Sequence, residues 1–426
     1  MINQRTSLSL IISKLFLYVL LNVYILEAML KGRNIICISS TEWRGDYIKA
    51  TVELMKEMAV HNKLLFINSP YTIKDVADGL LNKKDTELRR SFGLKSRIEV
   101  LKLENGGTVY LLTPPPAFTI NFLPEGALYQ AMLRFNCWQV LMVTKRALKK
   151  LGMERDLINI VAFNQGMGVM TGRKYGEKTL IYHCYDEING AHPWLQKHGV
   201  ALENRFLKMA DGVIVTSRGL YEAKRKLTKA CYIVKNAVKL DLFIKGFQPE
   251  VTAKKVVGYI GTIDERLDYD LLTHLLQEMP EVDFVFVGRV TTDFHEEDVL
   301  KKFPNAVFTG AKRPEELPEY LKTFSAGIIP FAKSDFTKGI YPMKINEYLA
   351  TGLPVVSTNF SYLDDFEGVI SIADDKYTFL KNLQTELQND TPELKQMRLE
   401  VAQQNTWEVR AEELSDVIEK IEAGKA

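Results

Sequence analysis

The chain has 426 residues, of which 46% are hydrophobic and 25% are charged. This is the composition of a globular protein with room for two sizeable cores, and it excludes a disordered or fibrous chain. The four cysteines are scattered and form no C-x-x-C pair, which predicts reduced thiols in a cytoplasmic protein and neither a disulfide framework nor a zinc site.

The small net charge of +2 hides a division between the two halves of the chain. Residues 1–245 hold 36 Lys and Arg against 21 Asp and Glu, and residues 246–426 hold 19 against 32. One interpretation is that two domains of opposite sign attract each other across a cleft. The other is that the basic half faces an anionic partner, such as the inner leaflet of a membrane. No compact basic-aromatic motif is present, so nucleic acid is not predicted as a partner.

Residues 8–30 are strongly apolar, but Lys14, Asn22 and Glu27 interrupt them. The longest uninterrupted stretch, Leu15–Leu21, is too short to span a bilayer. The segment is either a weak signal-anchor or membrane-surface helix, an uncleaved amphipathic helix, or a segment that does not belong to the domain. We favour the last interpretation and place residues 1–30 outside the core fold, because Met29 and the residues after it make a natural domain start.

From Asn34 onward, short β-rich runs alternate with longer helical runs. The predicted strands of the first half are 34–39, 63–67, 108–113, 157–162, 179–185, 212–216 and 231–235, and its helices are 46–61, 126–151, 200–210 and 218–229. Residues 240–255 are predicted to be a linker. The second half repeats the pattern, with strands 256–260, 283–287, 306–308, 326–330, 354–357 and 369–373, helices 269–279, 294–303, 315–324, 342–351 and 377–389, and a helical end over 391–423.

This alternation predicts an α/β protein with two Rossmann-like, doubly wound domains that face each other across a cleft. We set the first domain at 31–245 and the second at 246–404. Residues 405–426 are predicted to form a terminal helix. Ligands of such domains bind at the carboxyl ends of the strands.

The run from Ile340 to Ser357 predicts a short helix followed at once by a buried strand. Pro342 suits the first helical position, and Gly352 suits the position just past the end. Free N–H groups at the start of this helix attract phosphate, and Lys344 adds a cation there. Glu347 lies one turn deeper on the same face and can accept hydrogen bonds from two neighbouring ribose hydroxyls. The helix therefore predicts a site for a nucleotide diphosphate.

Two strand ends in the second half add glycines and cations to this site. Gly261 lets a phosphate approach the backbone, and Arg266 in the following loop can clamp a diphosphate, although a solvated surface charge is the alternative. Gly288 and Arg289 form a second such pair. Asp268-Tyr-Asp270 resembles a metal-binding D-x-D, but its place at a helix start favours an N-cap, so no metal is predicted.

The first half offers candidates at the mouth of the cleft. Strand 179–185 delivers Asp186 and Glu187 at its carboxyl end, where Asp186 suits a general base for an acceptor hydroxyl and a helix cap is the alternative. The loop with Trp43 and Arg44 could hold an acceptor sugar or lipid phosphate, or could serve packing and capping alone. His183 is predicted to be an interior residue, since no histidine pair has metal-ligand spacing.

Several motifs resemble those of bacterial GT-B glycosyltransferases that build capsule, exopolysaccharide or teichuronic acid. The most specific motif is Pro342-x-Lys344-x-x-Glu347-Tyr-Leu-Ala-x-Gly352-x-Pro354-Val-Val. Further matches are Val-Gly-Tyr-Ile-Gly261, Val-Phe-Val-Gly288, Asp211-Gly-Val-Ile-Val-Thr-Ser217, Val234-Lys-Asn236-Ala-Val238 and Tyr182-His-Cys-Tyr-Asp186-Glu187. The resemblance covers roughly residues 33–420.

The resemblance implies a GT-B fold in which the second domain binds the nucleotide-sugar and the first domain takes the acceptor. It also implies that the terminal helix 405–426 packs back toward the first domain. Glu347 would bind the ribose, and Arg266 and Lys344 the diphosphate; Tyr341, Gly261, Gly288 and Arg289 complete the predicted donor site. Two departures concern the mechanism. Gly339 stands where many retaining members carry a second glutamate, and Thr262 stands where an arginine is usual.

The sequence thus predicts a glycosyltransferase that moves a sugar from a nucleotide-diphosphate sugar, most simply a UDP-sugar, to a glycan or lipid-linked acceptor. Asp186 is the predicted base if the reaction inverts the anomeric centre. No cofactor is predicted, and the expected location is the cytoplasm, with an anionic membrane surface as a further partner. The alternatives are a nucleotide-sugar epimerase on the same fold and a non-catalytic partner subunit.

Overall fold

The computed structural model describes residues 29–82, 87–188, 193–251, 255–291 and 297–424. Their strands form two sheets, one in each half of the chain, with the orders β3-β4-β2-β1-β5-β6-β7-β8 and β11-β10-β9-β12-β13-β14. The first sheet consists of β1 (Asn34–Ser39), β2 (Lys63–Ile67), β3 (Ile98–Lys102), β4 (Thr108–Leu112), β5 (Leu157–Ala162), β6 (Thr179–Cys184), β7 (Gly212–Val215) and β8 (Cys231–Ile233). The second sheet consists of β9 (Val256–Ile260), β10 (Asp283–Val287), β11 (Ala306–Gly310), β12 (Ala326–Ile329), β13 (Val355–Thr358) and β14 (Ser371–Ala373).

The pairs within the described strands are parallel except for β3 with β4. The central strands are apolar runs buried on both faces, as a parallel sheet covered by helices requires. In β5, all six residues of Leu157–Ala162 are buried, and β1 pairs with it from Asn34 opposite Leu157 to Ser39 opposite Ala162. The predicted α/β fold with two doubly wound domains is confirmed.

The helices of the first half are α1 (Ala50–His61), α2 (Ile73–Asn82), α3 (Leu88–Ser91), α4 (Ala127–Leu151), α5 (Gln165–Thr171), α6 (Pro193–Met209) and α7 (Arg218–Lys224). The second half has α8 (Leu240–Phe243), α9 (Tyr269–Glu278), α10 (Glu297–Leu300), α11 (Leu317–Leu321), α12 (Asp335–Lys338), α13 (Met343–Ala350), α14 (Lys376–Asn389), α15 (Pro392–Gln403) and α16 (Trp407–Glu422). Short 3-10 turns cover Ile244–Gly246, Pro314–Glu316 and Asp364–Phe366.

The structure differs from the predicted linker at 240–255. Residues 240–246 form α8 and a 3-10 turn, and Phe243 is fully buried in the core of the second sheet. The charged residues of this stretch suggested a linker, but Leu242 and Phe243 between them supply the apolar contacts. The second core therefore begins before the predicted boundary at 246.

The two chain ends need separate description. The predicted apolar segment 1–30 lies outside the described residues except for Met29 and Leu30, and Leu30 is only 4% exposed within the core shared by α1 and β1. The predicted continuous helix over 391–423 is two helices, α15 and α16, which meet near Asn405 and Thr406. Thr406 takes an extended conformation and serves as the N-cap of α16.

Helix α16 leaves the second half of the chain and packs on the first. Its residues Trp407, Ala411, Leu414 and Ile418 are buried in the same core as α1 and the strands of the first sheet. Two ion pairs also join the halves, from Arg218 to Asp364 at 2.6 Å and from Lys235 to Asp365 at 2.7 Å.

Candidate functional site

The site is built around α13, which begins one residue later than predicted. Pro342 is the N-cap, with φ −79° and ψ 105°, and Met343 is the first helical residue. A proline fits here because its fixed φ also suits the residue before the helix, while its carbonyl already accepts a hydrogen bond from the Ile345 N–H at 3.2 Å. Gly352 follows the end of the helix with φ +76°, in the left-handed conformation that was expected of it.

Lys344 and Glu347 lie together on the cleft side of α13. Burial lowers the pKa of Lys344 and raises the pKa of Glu347, and the attraction between the two charges opposes both shifts. Glu347 is 8% exposed. A half-buried cation and a buried carboxylate at a helix start form a site that an anionic ligand with hydroxyl groups would complete.

Of the two predicted glycines, Gly261 packs against Lys344, and Gly288 packs against the backbone of Gly261. A Cβ atom on Gly261 would lie 2.3 Å from Cε of Lys344, and a Cβ atom on Gly288 would lie 1.8 Å from the carbonyl oxygen of Gly261. Gly261 also has φ +136°, which side chains rarely adopt. The carboxyl ends of β9 and β10 therefore meet the start of α13 with backbone alone, as close binding of a phosphate requires.

Arg266 reaches the same site but is held by a carboxylate that the sequence analysis did not select. Its Nε and Nη2 atoms donate to the two oxygens of Asp264 at 2.8 and 2.6 Å. Burial opposes the charge on Arg266, but the Asp264 carboxylate outweighs burial and raises the pKa of the guanidinium. Arg266 is therefore oriented before any ligand binds.

Aromatic rings complete the wall around the cations. The Lys344 Nζ atom lies 5.6 Å from the ring centres of both Tyr259 and Phe331, and the Arg266 guanidinium lies 5.7 Å from Phe331. Neither Tyr259 nor Asp264 was selected from the sequence. Asp264 has a signal that could have found it, since it lies two residues before Arg266; Tyr259, inside a buried strand, resembles any core residue.

Asp186 follows β6 and faces this group from the first half of the chain. Burial raises its pKa to about 6, and the positive charge of Arg266 limits that rise. Among the described residues, no hydrogen bond to the Asp186 carboxylate is present. A half-buried carboxylate with this pKa is ionised at neutral pH and remains a competent proton acceptor.

Its neighbour Glu187 has a different environment. The Lys224 ammonium lies 2.9 Å from Glu187 and 2.8 Å from Glu203, and all three side chains are buried. Lys224 is the last residue of α7, and the N-cap of the same helix, Ser217, donates its hydroxyl to the Gly339 carbonyl at 2.6 Å. Glu187 thus belongs to an ion-pair network under the contact between the two halves.

For the remaining predicted residues, the structure shows other contacts. Trp43 packs edge-to-face on Phe66 at 5.0 Å, and Arg44 donates to Glu99 at 2.8 Å. Both line a separate cavity of about 310 Å³ between the loop 43–49 and residues 313–315. The Tyr341 ring packs on Phe366 at 5.7 Å, and Arg289 is exposed.

Three other expectations concern metals, histidines and membranes. Asp268 caps α9 by accepting from the Leu271 N–H at 2.9 Å, and His183 is buried in β6 with its pKa lowered to about 4 by burial. In the described ranges, no three His, Cys, Asp or Glu side chains are grouped closely enough for a metal ion. Of the helices described, none has the length and apolar character of a bilayer span.

The two sheets that face each other through α13 and β6 define a GT-B fold, and solved structures agree. A sucrose-phosphate synthase from Thermosynechococcus elongatus matches with a TM-score of 0.66, 15% identity and coverage of 92% of this chain and 100% of that one. An alpha,alpha-trehalose 6-phosphate synthase from Burkholderia multivorans matches with a TM-score of 0.63, 10% identity and coverage of 93% and 100%. An E. coli trehalose-6-phosphate structure bound with UDP-2-fluoro glucose matches with a TM-score of 0.61, 10% identity and coverage of 91% and 99%. At these identities the likeness shows the fold.

Sequence comparison finds a family model that matches part of the second half of the chain. Residues 254–388, which contain α13 and both glycines, match the family model "Glycosyl transferases group 1". A Bacillus subtilis (strain 168) protein named as a teichuronic acid biosynthesis glycosyltransferase, TuaH, is 31% identical over 207 residues, or 43% of this chain. That alignment spans about half, 51%, of the relative's length. The resemblance to GT-B glycosyltransferases of the teichuronic acid type is confirmed.

Proposed function

We propose that this protein is a glycosyltransferase that takes a sugar from a UDP-sugar and transfers it to a glycan or lipid-linked acceptor of a surface polysaccharide. The observation that carries the proposal is the convergence of Gly261, Gly288, Lys344 and Glu347 at the start of α13. The family match over 254–388 supports a sugar donor. The name of the Bacillus subtilis relative supports a polysaccharide acceptor, and the UDP-sugar bound in the E. coli structure supports UDP.

In this proposal, the diphosphate lies at the start of α13, against the backbone of Gly261. Lys344 and the helix N–H groups stabilise the charge that develops as the diphosphate leaves. Arg266 also contacts the diphosphate, through the side of its guanidinium that Asp264 does not occupy. Glu347 accepts hydrogen bonds from the ribose hydroxyls. Asp186 removes the proton from the acceptor hydroxyl as that oxygen attacks the sugar, and the bond to the diphosphate breaks.

The ribose role of Glu347 is tested by a paired comparison of UDP and 2′-deoxy-UDP in isothermal titration calorimetry. Wild type should bind UDP more tightly, because Glu347 accepts from the 2′-hydroxyl. Glu347→Gln should weaken UDP binding about 10-fold, the value of one hydrogen bond to a charged group, and should reduce the difference between the two nucleotides. Glu319→Gln, an exposed acid of the same domain, is the matched control.

The result that would remove Glu347 from the ribose site is a full 2′-hydroxyl preference in the Glu347→Gln variant. The transfer step is tested separately, because Asp186→Asn should abolish sugar transfer while leaving UDP affinity unchanged. An epimerase would instead change the sugar of the donor without any acceptor. A non-catalytic partner subunit would bind UDP-sugar and release no UDP with any acceptor.

A further inference from the structure

A group of apolar side chains is exposed on the first domain, on loop 113–126 and α4. These side chains are Phe118, Phe122, Leu128, Phe135 and Trp138, which are 42%, 72%, 63%, 44% and 54% exposed. We call them the aromatic face. The Phe135 ring centre lies 5.8 Å from that of Phe118 and 6.0 Å from that of Trp138, so three of the rings form one continuous surface.

The aromatic face is held in place by hydrogen bonds beneath it. Asn136 is 9% exposed, accepts from the Phe118 N–H at 3.0 Å and donates to the Phe118 carbonyl at 2.9 Å. Lys197 of α6 donates to the Phe122 carbonyl at 3.4 Å, and Nε2 of His198 lies 3.1 Å from the Leu123 carbonyl. The rings are therefore presented to solvent by two helices, which argues against a loosely attached loop.

Helix α4 has two apolar sides, and only one of them packs against the core. Leu133, Cys137, Val140 and Leu148 face inward and are buried against the first sheet. Leu128, Phe135 and Trp138 are spaced seven and three residues apart, which places them on one side of the helix, away from that core. Exposed aromatic rings that the core does not need indicate an interaction surface.

The charges of the same helix identify the partner. From Gly126 to Met153 the sequence holds no Asp or Glu and five basic residues, all exposed: Arg134, Lys145, Arg146, Lys149 and Lys150. The acids that flank this stretch in the sequence are Glu125, which is engaged by Nδ1 of His198 at 2.7 Å and by Gln130 at 2.8 Å, and the exposed Glu154. Phe and Trp beside Lys and Arg suit the boundary of an anionic bilayer, where rings enter the headgroup region and cations contact phosphates.

The position of the aromatic face relates it to the cleft. Loop 113–126 leaves the carboxyl end of β4, and Asp186 leaves the carboxyl end of β6 in the same parallel sheet. Helix α4 then runs back toward the amino end of β5, so its first turns lie at the cleft edge. A bilayer at this face would therefore lie on the cleft side of the first sheet.

We propose that the aromatic face docks on an anionic lipid bilayer. Phe122 and Trp138 enter the headgroup region, and the five basic residues of α4 contact lipid phosphates. A symmetric dimer is a poorer occupant, because it would present the same surface from both sides and its helix would offer no acid to the five cations. The inference concerns a surface away from the donor site, and its test reads lipid binding rather than activity.

The test is sedimentation of the full chain with vesicles of phosphatidylglycerol and phosphatidylcholine in equal parts. Phe122→Ser with Trp138→Ser should lower the partition coefficient at least about 100-fold, because each of the two buried rings contributes a factor of about 10 or more. Replacing Lys145, Arg146, Lys149 and Lys150 by Gln should lower it as well and reduce its dependence on salt. Tyr377→Ser, which alters a ring 67% exposed on the second domain, should change nothing.

A second measurement follows Trp138 itself, since the full chain also carries the apolar residues 1–28. Brominated phosphatidylglycerol should quench part of the tryptophan fluorescence of wild type, and that part should be lost in Trp138→Phe. Wild-type partition in both multiple variants, or no quenching at Trp138, would overturn the proposal and assign any binding to residues 1–28. A dimer that these substitutions dissociate in sedimentation velocity would overturn it too. UDP affinity, measured on every variant, should stay at the wild-type value, so failure here leaves the donor site unaffected.

Discussion

At the scale of single residues, the candidate site depends on how charged groups adjust one another. Asp264 holds Arg266 by hydrogen bonds, and Arg266 limits the rise in the pKa of Asp186. On α13, the charges of Lys344 and Glu347 limit the pKa shifts that burial causes in each. Removing one member therefore changes the protonation of another. Loss of Arg266 should therefore shift the pH dependence of activity, and a merely structural role of Arg266 would produce no such shift.

We predict that Arg266→Gln moves the acid limb of the pH profile of kcat/KM to higher pH. The proposed base must be ionised, so activity should rise as pH increases through the pKa of Asp186, about 6 in the wild type. Arg266 lowers that pKa, and its loss should therefore raise the pKa and shift the limb upward. Arg313→Gln, an exposed arginine of the same domain, is the control and should leave the limb in place. An unshifted limb in an active Arg266→Gln enzyme would show that Arg266 does not act on the base.

The sequence predicts the residues of this site where a local signal exists. Glu347, Lys344 and Gly261 follow from helix-end and strand-end patterns, and the structure places them together. Trp43 and Arg44 have the same strand-end position, but contacts with Phe66 and Glu99 hold them at another cavity. Those partners lie 23 and 55 residues further along the chain, so a local pattern could not reveal them.

At the scale of elements, the stability of α13 depends on the glycine that follows its last turn. Gly352 has φ +76°, and a Cβ atom there would lie 2.9 Å from Phe247 and 3.1 Å from Lys395. Gly310 has a similar φ of +73° with nothing within 4 Å of its Cβ position. Substitutions at the two glycines therefore distinguish the cost of backbone strain, which both share, from the cost of side-chain crowding, which only Gly352 has.

We predict that Gly352→Ala lowers the free energy of unfolding more than Gly310→Ala does. Both should lose about 1 kcal/mol from the left-handed backbone, and Gly352→Ala should lose a further 1–3 kcal/mol, roughly, from overpacking. Native-state hydrogen exchange of the buried amides of the second sheet measures both losses without requiring two-state unfolding of the two-domain chain. Equal losses would mean that Phe247 and Lys395 move aside at little cost.

The elements were predictable in proportion to their length and burial. Five central strands, among them β1, β5 and β9, have the predicted bounds because they are continuous apolar runs. Strand β3 was missed because it is an edge strand with an alternating polar pattern, and α5 because it has only seven residues, two of them glycine. The break between α15 and α16 was missed, although Thr406 is of a residue type that is favoured at N-caps.

At the scale of the whole molecule, some of the opposite charges of the two halves form ion pairs with each other. Arg218 and Lys235 of the basic half pair with Asp364 and Asp365 of the acidic half. This agrees with attraction across a cleft, and it does not use the basic residues of α4, which face outward. The other interpretation, an anionic partner for the basic half, remains a proposal and concerns a different surface of the first domain.

Helix α16 returns to the first domain, and Glu422 near its end holds it there. Its carboxylate accepts from Arg33 at 2.6 Å, Thr179 at 2.7 Å and Lys178 at 3.2 Å. Burial opposes ionisation, but these hydrogen bonds outweigh it and lower the pKa of Glu422 to about 2 from an ordinary value of 4.5. A lowered carboxylate pKa stabilises the folded form fully above the unfolded value, and the contribution is lost as pH falls toward 2.

We predict that Glu422→Gln loosens α16 by about 1–2 kcal/mol at neutral pH, the value of a hydrogen bond to a charged group. Hydrogen exchange of the α16 amides measures this local opening without requiring two-state unfolding of a two-domain chain. The difference from wild type should shrink between pH 4.5 and pH 2, because the wild-type carboxylate is then protonated as well. Glu419→Gln, on an exposed position of the same helix, should exchange as wild type does. A Glu422→Gln effect that persists unchanged at low pH would show that the shape of the side chain, rather than its charge, fastens the helix.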